Sequence, residues 1–169
     1  MNASLVPISS LLIGLHGLLA FALSYLAAAE RVKAKVWHGE STEAVVMQPD
    51  PLANPSPWVL AIERLTQRQL QKGAVEPGAL QRKVRAHGNF AEYVPHALLL
   101  ILVLELMQAP AWLLWLLGGT LTLARLAHAY GLITKYGPSV SRATGFFLTW
   151  FVYLLGSLAC LYYGSQGLL

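Results

Sequence analysis

The 169-residue sequence predicts an all-α integral membrane protein, a bundle of four transmembrane helices. Three features carry that expectation. Hydrophobic residues make up 56% of the chain and charged ones 12%, which is about half the charged share of a soluble domain. Four apolar runs are each long enough to cross a bilayer, for which roughly 20 residues suffice. The breaks between them are one long polar segment and two short turns that contain Pro. At this length the chain reads as a single domain, residues 1–169.

The first run, residues 5–29, has no charge until Glu30. A signal peptide would need a basic segment ahead of it and a shorter apolar stretch. Neither is present, so the run is expected to span. His16 lies in its middle and is expected as a neutral imidazole bonded to a neighbouring helix. Residues 30–79 form a polar connection interrupted by Pro49, Pro51, Pro55, Pro57 and Pro77. Its Pro-rich part is expected to be extended or mobile. Within it, Trp58–Lys72 carries apolar residues at helical spacing. That pattern fits a short amphipathic helix on the membrane surface and equally a helix packed in an ordinary loop. The second span runs over 80–107 and ends where Gln108-Ala-Pro110 cannot continue a helix. The third runs over 111–134. After Tyr136-Gly137-Pro138, Ser139 or Ser141 can cap the fourth, which runs over 139–164.

The positive charge is uneven. Nine of the twelve Lys and Arg lie between Arg31 and Arg85, while six of the eight acids lie between Glu30 and Arg85. With that mixture beside lipid-soluble helices, nucleic acid is not an expected partner. The positive-inside bias instead makes the first loop cytoplasmic, and both termini are then expected outside. Cys160 is alone, so no disulfide framework exists within one chain. It is expected as a small packing residue. No CxxC or HExxH is present, so no metal is expected.

The informative chemistry is polar and lies inside the spans. Arg85, Asn89, Glu92 and His96 are separated by four, three and four residues, which puts them on one stripe of the second helix. Arg125 and His128 share a face of the third. Arg142 falls in the first turn of the fourth. Alternating helix directions bring Arg85, Asn89, Glu92, Arg125, His128 and Arg142 to the cytoplasmic end. A charged group inside a span costs roughly 2.5–3.5 kcal/mol unless paired or hydrated. Three arginines and one glutamate must therefore face one another, water or a ligand. Glu92 with Arg125 is the expected ion pair. One account is a network that only fixes packing. The other is a cationic pocket for an anionic ligand, and the surplus of arginine favours it. Positive charge beside a bound thiol would lower its pKa and make the thiolate available as a nucleophile. Glu105, on another face near the outer end, is expected to be a solvated helix end. Trp112 and Trp115, with Tyr153, Tyr162 and Tyr163, suit interfacial belts. Thr149 and Gly145 can line the Arg142 face, or, more ordinarily, let helices approach closely.

The run RAHGNFAEYVP, then ARLAHAYG, then a short polar turn with an arginine opening the last helix, resembles the MAPEG family. These are membrane-associated proteins in eicosanoid and glutathione metabolism, and the likeness is strongest to their short bacterial branch. It covers about residues 80–164. The resemblance implies a homotrimer of four-helix protomers in the bacterial inner membrane. Glutathione would lie between neighbouring subunits near the cytoplasmic face, folded into a U. Matched by position, Arg85, Asn89 and Glu92 look like the helix-two glutathione contacts, with His87 in a variable place between them. Arg125 and His128 look like the helix-three contacts, and Arg142 resembles the arginine that stabilises the thiolate. Two departures speak against eicosanoid synthesis: Gly88, where some such members carry a second basic residue, and Leu132, where several place a tyrosine. The connection over 36–75 is also longer than in short relatives.

The expected function is therefore glutathione binding, with transfer to small hydrophobic electrophiles or reduction of lipid hydroperoxides. The competing expectation is a non-enzymatic trimeric scaffold that uses the same polar network for packing. A transporter or channel is disfavoured, because the polar residues stop at one leaflet.

Overall fold

Leucine- and alanine-rich runs propagate readily as helix, and at Pro7 the first helical position holds a proline, which removes a donor that would otherwise need a partner. In the computed structural model, which describes residues 5–36, 55–58, 60–61, 64 and 76–168, such runs form four long helices. Helix α1 spans Pro7–Ala34, α2 Ala79–Leu106, α3 Ala111–Thr134 and α4 Val140–Gln166. No strand occurs among the described residues. The helices run alternately up and down: Glu105 near the end of α2 meets the start of α1, and Lys83 near the start of α2 meets Glu30 near the end of α1. Helix α3 packs against the other three.

The surface is inverted relative to a water-soluble protein. Leu18 and Phe21 of α1, Trp112 and Leu123 of α3, and Leu154 and Leu161 of α4 all point outward and are at least 65% exposed. Apolar patches of that extent in water would drive association. Helices α1, α2 and α4 are each long and apolar enough to cross a membrane. A helix of 28 residues, such as α1 or α2, reaches about 42 Å, past a hydrocarbon core of about 30 Å. The protein is a four-helix membrane bundle. Its interior is filled by Leu, Ile, Val and Ala, with Ile101, Leu104, Leu117 and Val152 wholly buried.

Three local expectations are corrected by packing. Helix α1 continues to Ala34 rather than stopping at Ala29. Its Glu30, buried, is neutralised by Lys83 of α2 and lies 4.0 Å from Lys33 in its own helix. Glu105 is not a solvated helix end. It is 6% exposed, and its carboxylate accepts from Ile8 N at 2.9 Å and Ser9 N at 2.7 Å. Val6 at the cap position of α1 has no capping side chain, so a carboxylate from another helix does that work. His16 is buried, but its Nδ1 lies 2.8 Å from Leu12 O of the same helix, not of a neighbour.

The remaining turns follow local chemistry. Gln108 takes a left-handed φ of 60° ahead of Pro110. Of the two candidate serines, Ser139 caps α4, its Oγ accepting from Arg142 N at 3.3 Å. In the long connection, Trp58, Leu60, Ala61 and Arg64 are helical, which is where the amphipathic segment was expected to begin. The rest of Trp58–Lys72 lies outside the described residues, as does the Pro-rich stretch up to residue 54.

Candidate ligand-binding cleft

Two glycines determine how α4 meets α3 beside the polar residues. A Cβ on Gly145 would stand 2.4 Å from Ala124 O and 2.7 Å from His128 N. A Cβ on Gly131 would stand 2.7 Å from Arg142 N and from Ser141 Oγ. Both distances are shorter than a carbon can tolerate, so the backbones approach only because neither residue has a side chain. The Ser139 cap then starts α4 so that Arg142 comes up beside His128 and Asn89.

At this end of the bundle a cleft of about 390 Å³ opens between α2, α3 and the start of α4. Arg85, Asn89 and Glu92 line it from α2, His128 from α3 and Arg142 from α4. Five of the six residues singled out in the sequence thus share one wall-to-wall space. Arg82, Lys135 and Tyr136 line it as well, and the sequence pattern did not point to them. Among the described lining residues four are cationic, while Glu92 supplies the carboxylate. Arg82 is paired with Glu76 outside the cleft and also donates to Ile133 O at 3.2 Å. Asn89, His128 and Arg142 also border a second space of about 410 Å³, walled by Phe146 and Phe147. A polar compartment and an aromatic one therefore meet at the same three side chains.

Arg125 is placed differently. It is 3% exposed and lies beneath the cleft. Its guanidinium donates to Asn89 Oδ1 at 3.0 Å, to Thr149 Oγ1 at 2.6 Å and, more weakly, to Gly145 O at 3.4 Å. The Tyr93 ring faces it, with the guanidinium carbon 5.5 Å from the ring centre. The expected Glu92–Arg125 ion pair is absent: Glu92 is on the exposed edge of α2, and neutral acceptors take the guanidinium instead. A buried cation without a carboxylate is held here by neutral hydrogen-bond acceptors and the Tyr93 face, and its Nε has no partner among the described residues. By holding Asn89 and Thr149, Arg125 links α2, α3 and α4 under the cleft floor.

Tyr153 also departs from expectation. It is not an interfacial belt residue but is half-buried, its hydroxyl donating to Tyr93 O at 2.7 Å. Tyr93 and Thr149 are the positions the residue pattern undervalued. Tyr93 was legible as the fourth residue after Asn89, and Thr149 as two turns beyond Arg142.

The arrangement can hold an anion beside His128 and Arg142 and can present it to an apolar neighbour. Comparison with known proteins decides the family. The MAPEG family profile matches residues 9–162, nearly the whole chain. The chain belongs to the MAPEG family. Among curated proteins, it is 38% identical over 84 residues to the inner membrane protein YecN of Escherichia coli strain K12. That match takes in 50% of this chain and 63% of the relative. The same protein from Escherichia coli O6:H1 matches equally. No solved structure matches. As a MAPEG protein, the chain forms a membrane bundle whose polar cleft lies at its basic end, between α2, α3 and the start of α4.

Proposed function

We propose that this MAPEG protein binds glutathione in the cationic cleft and transfers it to lipophilic electrophiles or uses it to reduce lipid hydroperoxides. It does so as a homotrimer in the bacterial inner membrane. The basic end, with Arg31, Lys33, Arg82, Lys83, Arg85, Lys135 and Arg142, faces the cytoplasm, where the positive-inside bias puts it. The observation that carries the proposal is the charge of the cleft: Arg85, Lys135 and Arg142 stand around Asn89 and His128 beside the Glu76-paired Arg82, with Glu92 as the lining carboxylate. A tripeptide with two carboxylates and one ammonium group suits that excess of positive charge, and the volume lies in the range of small-molecule sites. Arg142 stands at the junction of the polar and aromatic spaces. From there its charge stabilises the thiolate. Asn89, Glu92, His128 and Arg85 hold the peptide, and Arg125 fixes Asn89 from below. Phe146 and Phe147 receive the apolar part of the electrophile.

The test is replacement of Arg142 by Ala. Turnover of a chlorodinitrobenzene-type electrophile with glutathione is expected to vanish while the trimer persists. Unchanged turnover in the variant overturns the assignment. A second reading has an observation of its own: Arg125, Asn89 and Thr149 are bonded to one another within a single protomer, as a packing network would be. A non-enzymatic scaffold with that network would show no thermal response to glutathione. A bound ligand stabilises by about 2.7 kcal/mol at a concentration of 100 times Kd.

A further inference from the structure

A separate space lies on another side of α2. It holds about 480 Å³ between α1 and α2 and shares no lining residue with the cleft or with the aromatic space beside it. Ala20, Phe90, Val94 and Leu98 are among its walls, and Ile13 and Leu99, both exposed, border it on the outer surface.

One polar side chain belongs to this wall. His16 is 1% exposed, and its Nε2 has no hydrogen-bond partner among the described residues. Its Nδ1 lies 2.8 Å from Leu12 O. A carbonyl can only accept, so Nδ1 carries the hydrogen, and in the neutral ring Nε2 presents a lone pair. A second acceptor borders the same space. Pro95, inside α2, has no N–H, so the carbonyl of Ala91 one turn earlier lacks its helical donor. Apart from His16, the lining residues are Ile, Gly, Ala, Phe, Val, Pro and Leu, so no side chain among them can donate to either acceptor. In hydrocarbon an acceptor without a donor is costly, because no water is there to serve it.

Depth narrows the choice of donor. His16 is nine residues past Pro7, about 14 Å along a helix of about 42 Å. With that helix centred on a hydrocarbon core of about 30 Å, the ring lies about 8 Å inside the core. Lipid headgroup hydroxyls stay outside it. We infer that this pocket binds a free lipophilic alcohol or phenol, whose hydroxyl donates to His16 Nε2 while its hydrocarbon body fills the space between α1 and α2. The inference does not depend on the glutathione reading. Gly17 makes room for such a body, since a Cβ there would meet nothing within 4 Å. The volume is that of a small-molecule site.

The experiment uses the full-length protein in nanodiscs of phosphatidylcholine, a lipid without hydroxyl groups. The probe is a dodecanol carrying an alkyl diazirine, compared with its methyl ether, which has the same body but no donor. Labelling after photolysis is titrated and mapped by peptide. The alcohol is expected to label residues 13–20 and 90–102 at about tenfold lower concentration than the ether. His16→Phe should remove that preference, and Gly17→Leu, which fills the space, should remove labelling by both probes. Thermal unfolding checks that each variant is folded. Equal labelling of wild type by alcohol and ether overturns the role of His16, as does a preference that persists in folded His16→Phe. Absence of saturable labelling at these segments overturns the site itself, the outcome expected if a second copy of the chain covers this face. Displacement of the probe when phosphatidylglycerol replaces part of the phosphatidylcholine assigns the pocket to a lipid headgroup and overturns the free alcohol.

Discussion

Replacing Glu105 by Ala tests whether one helix is capped by another. Two amides of α1 donate to this carboxylate, at 2.9 and 2.7 Å, in a site only 6% exposed. Loss of a capping oxygen costs about 0.5–2 kcal/mol. Here the acceptor is also charged and buried, and hydrogen bonds to charged groups contribute about 1.5–3 kcal/mol. Water cannot readily replace it, so the two amides stay unpartnered, and a total of about 3 kcal/mol is expected. For a chain of this length, a loss of 1 kcal/mol lowers Tm by about 2–4 °C. Glu105→Ala is thus expected to lower the midpoint by about 6–12 °C in a thermal unfolding assay in detergent without ligand. Glu105→Gln, which retains one acceptor oxygen, should lose about half as much. Glu92→Ala, at an exposed carboxylate on the same helix, is the control and should move Tm by no more than about 2 °C. A Glu105→Ala midpoint within 1–2 °C of wild type, by about the precision of such assays, would refute the capping argument.

Other perturbations follow from the same geometry. Gly145→Ala puts a methyl group 2.4 Å from Ala124 O, so α4 must move; a destabilisation of about 1–3 kcal/mol and a weakened thermal response to glutathione are expected. Thr149→Val keeps the shape but removes an acceptor of buried Arg125, costing about 1–3 kcal/mol in chemical denaturation. Lys83→Met leaves buried Glu30, among the described residues, with the more distant Lys33, so it should destabilise by about 1–3 kcal/mol, and adding Glu30→Gln should recover part of that loss in a double-mutant cycle. Tyr153→Phe frees Tyr93 O, and a cost of about 1 kcal/mol is expected from the lost hydrogen bond.

Much of the site was legible because it is built from helical spacing. Arg85, Asn89 and Glu92 share a stripe whatever surrounds the helix, and Arg125 and His128 share another. Alternating directions sufficed to bring them to one end. The boundaries of α2, α3 and α4 came within about two residues, since Pro110 and the Gly137-Pro138 turn leave little choice. Partner choice was another matter. Glu92 and Arg125 looked like a pair because they are opposite charges at one depth, yet the rotation of α2 turns Glu92 outward and Asn89 inward. Glu105 looked solvated because it is charged and near a helix end. Nothing local reveals that the first turn of α1 has amides to satisfy at the same level.

The sequence by itself determined four long helices, the polar stripes on three of them and the end at which those stripes gather, because periodicity and hydropathy are properties of each helix alone. Only the tertiary structure decided which carboxylate caps α1, which acceptors hold Arg125, and that Arg125 lies under the cleft while Arg142 opens into it. Those outcomes depend on how far each helix is rotated and how closely two backbones approach. Here the approach of α4 to α3 depends on the missing side chains of Gly131 and Gly145, a consequence that no helix carries in its own spacing.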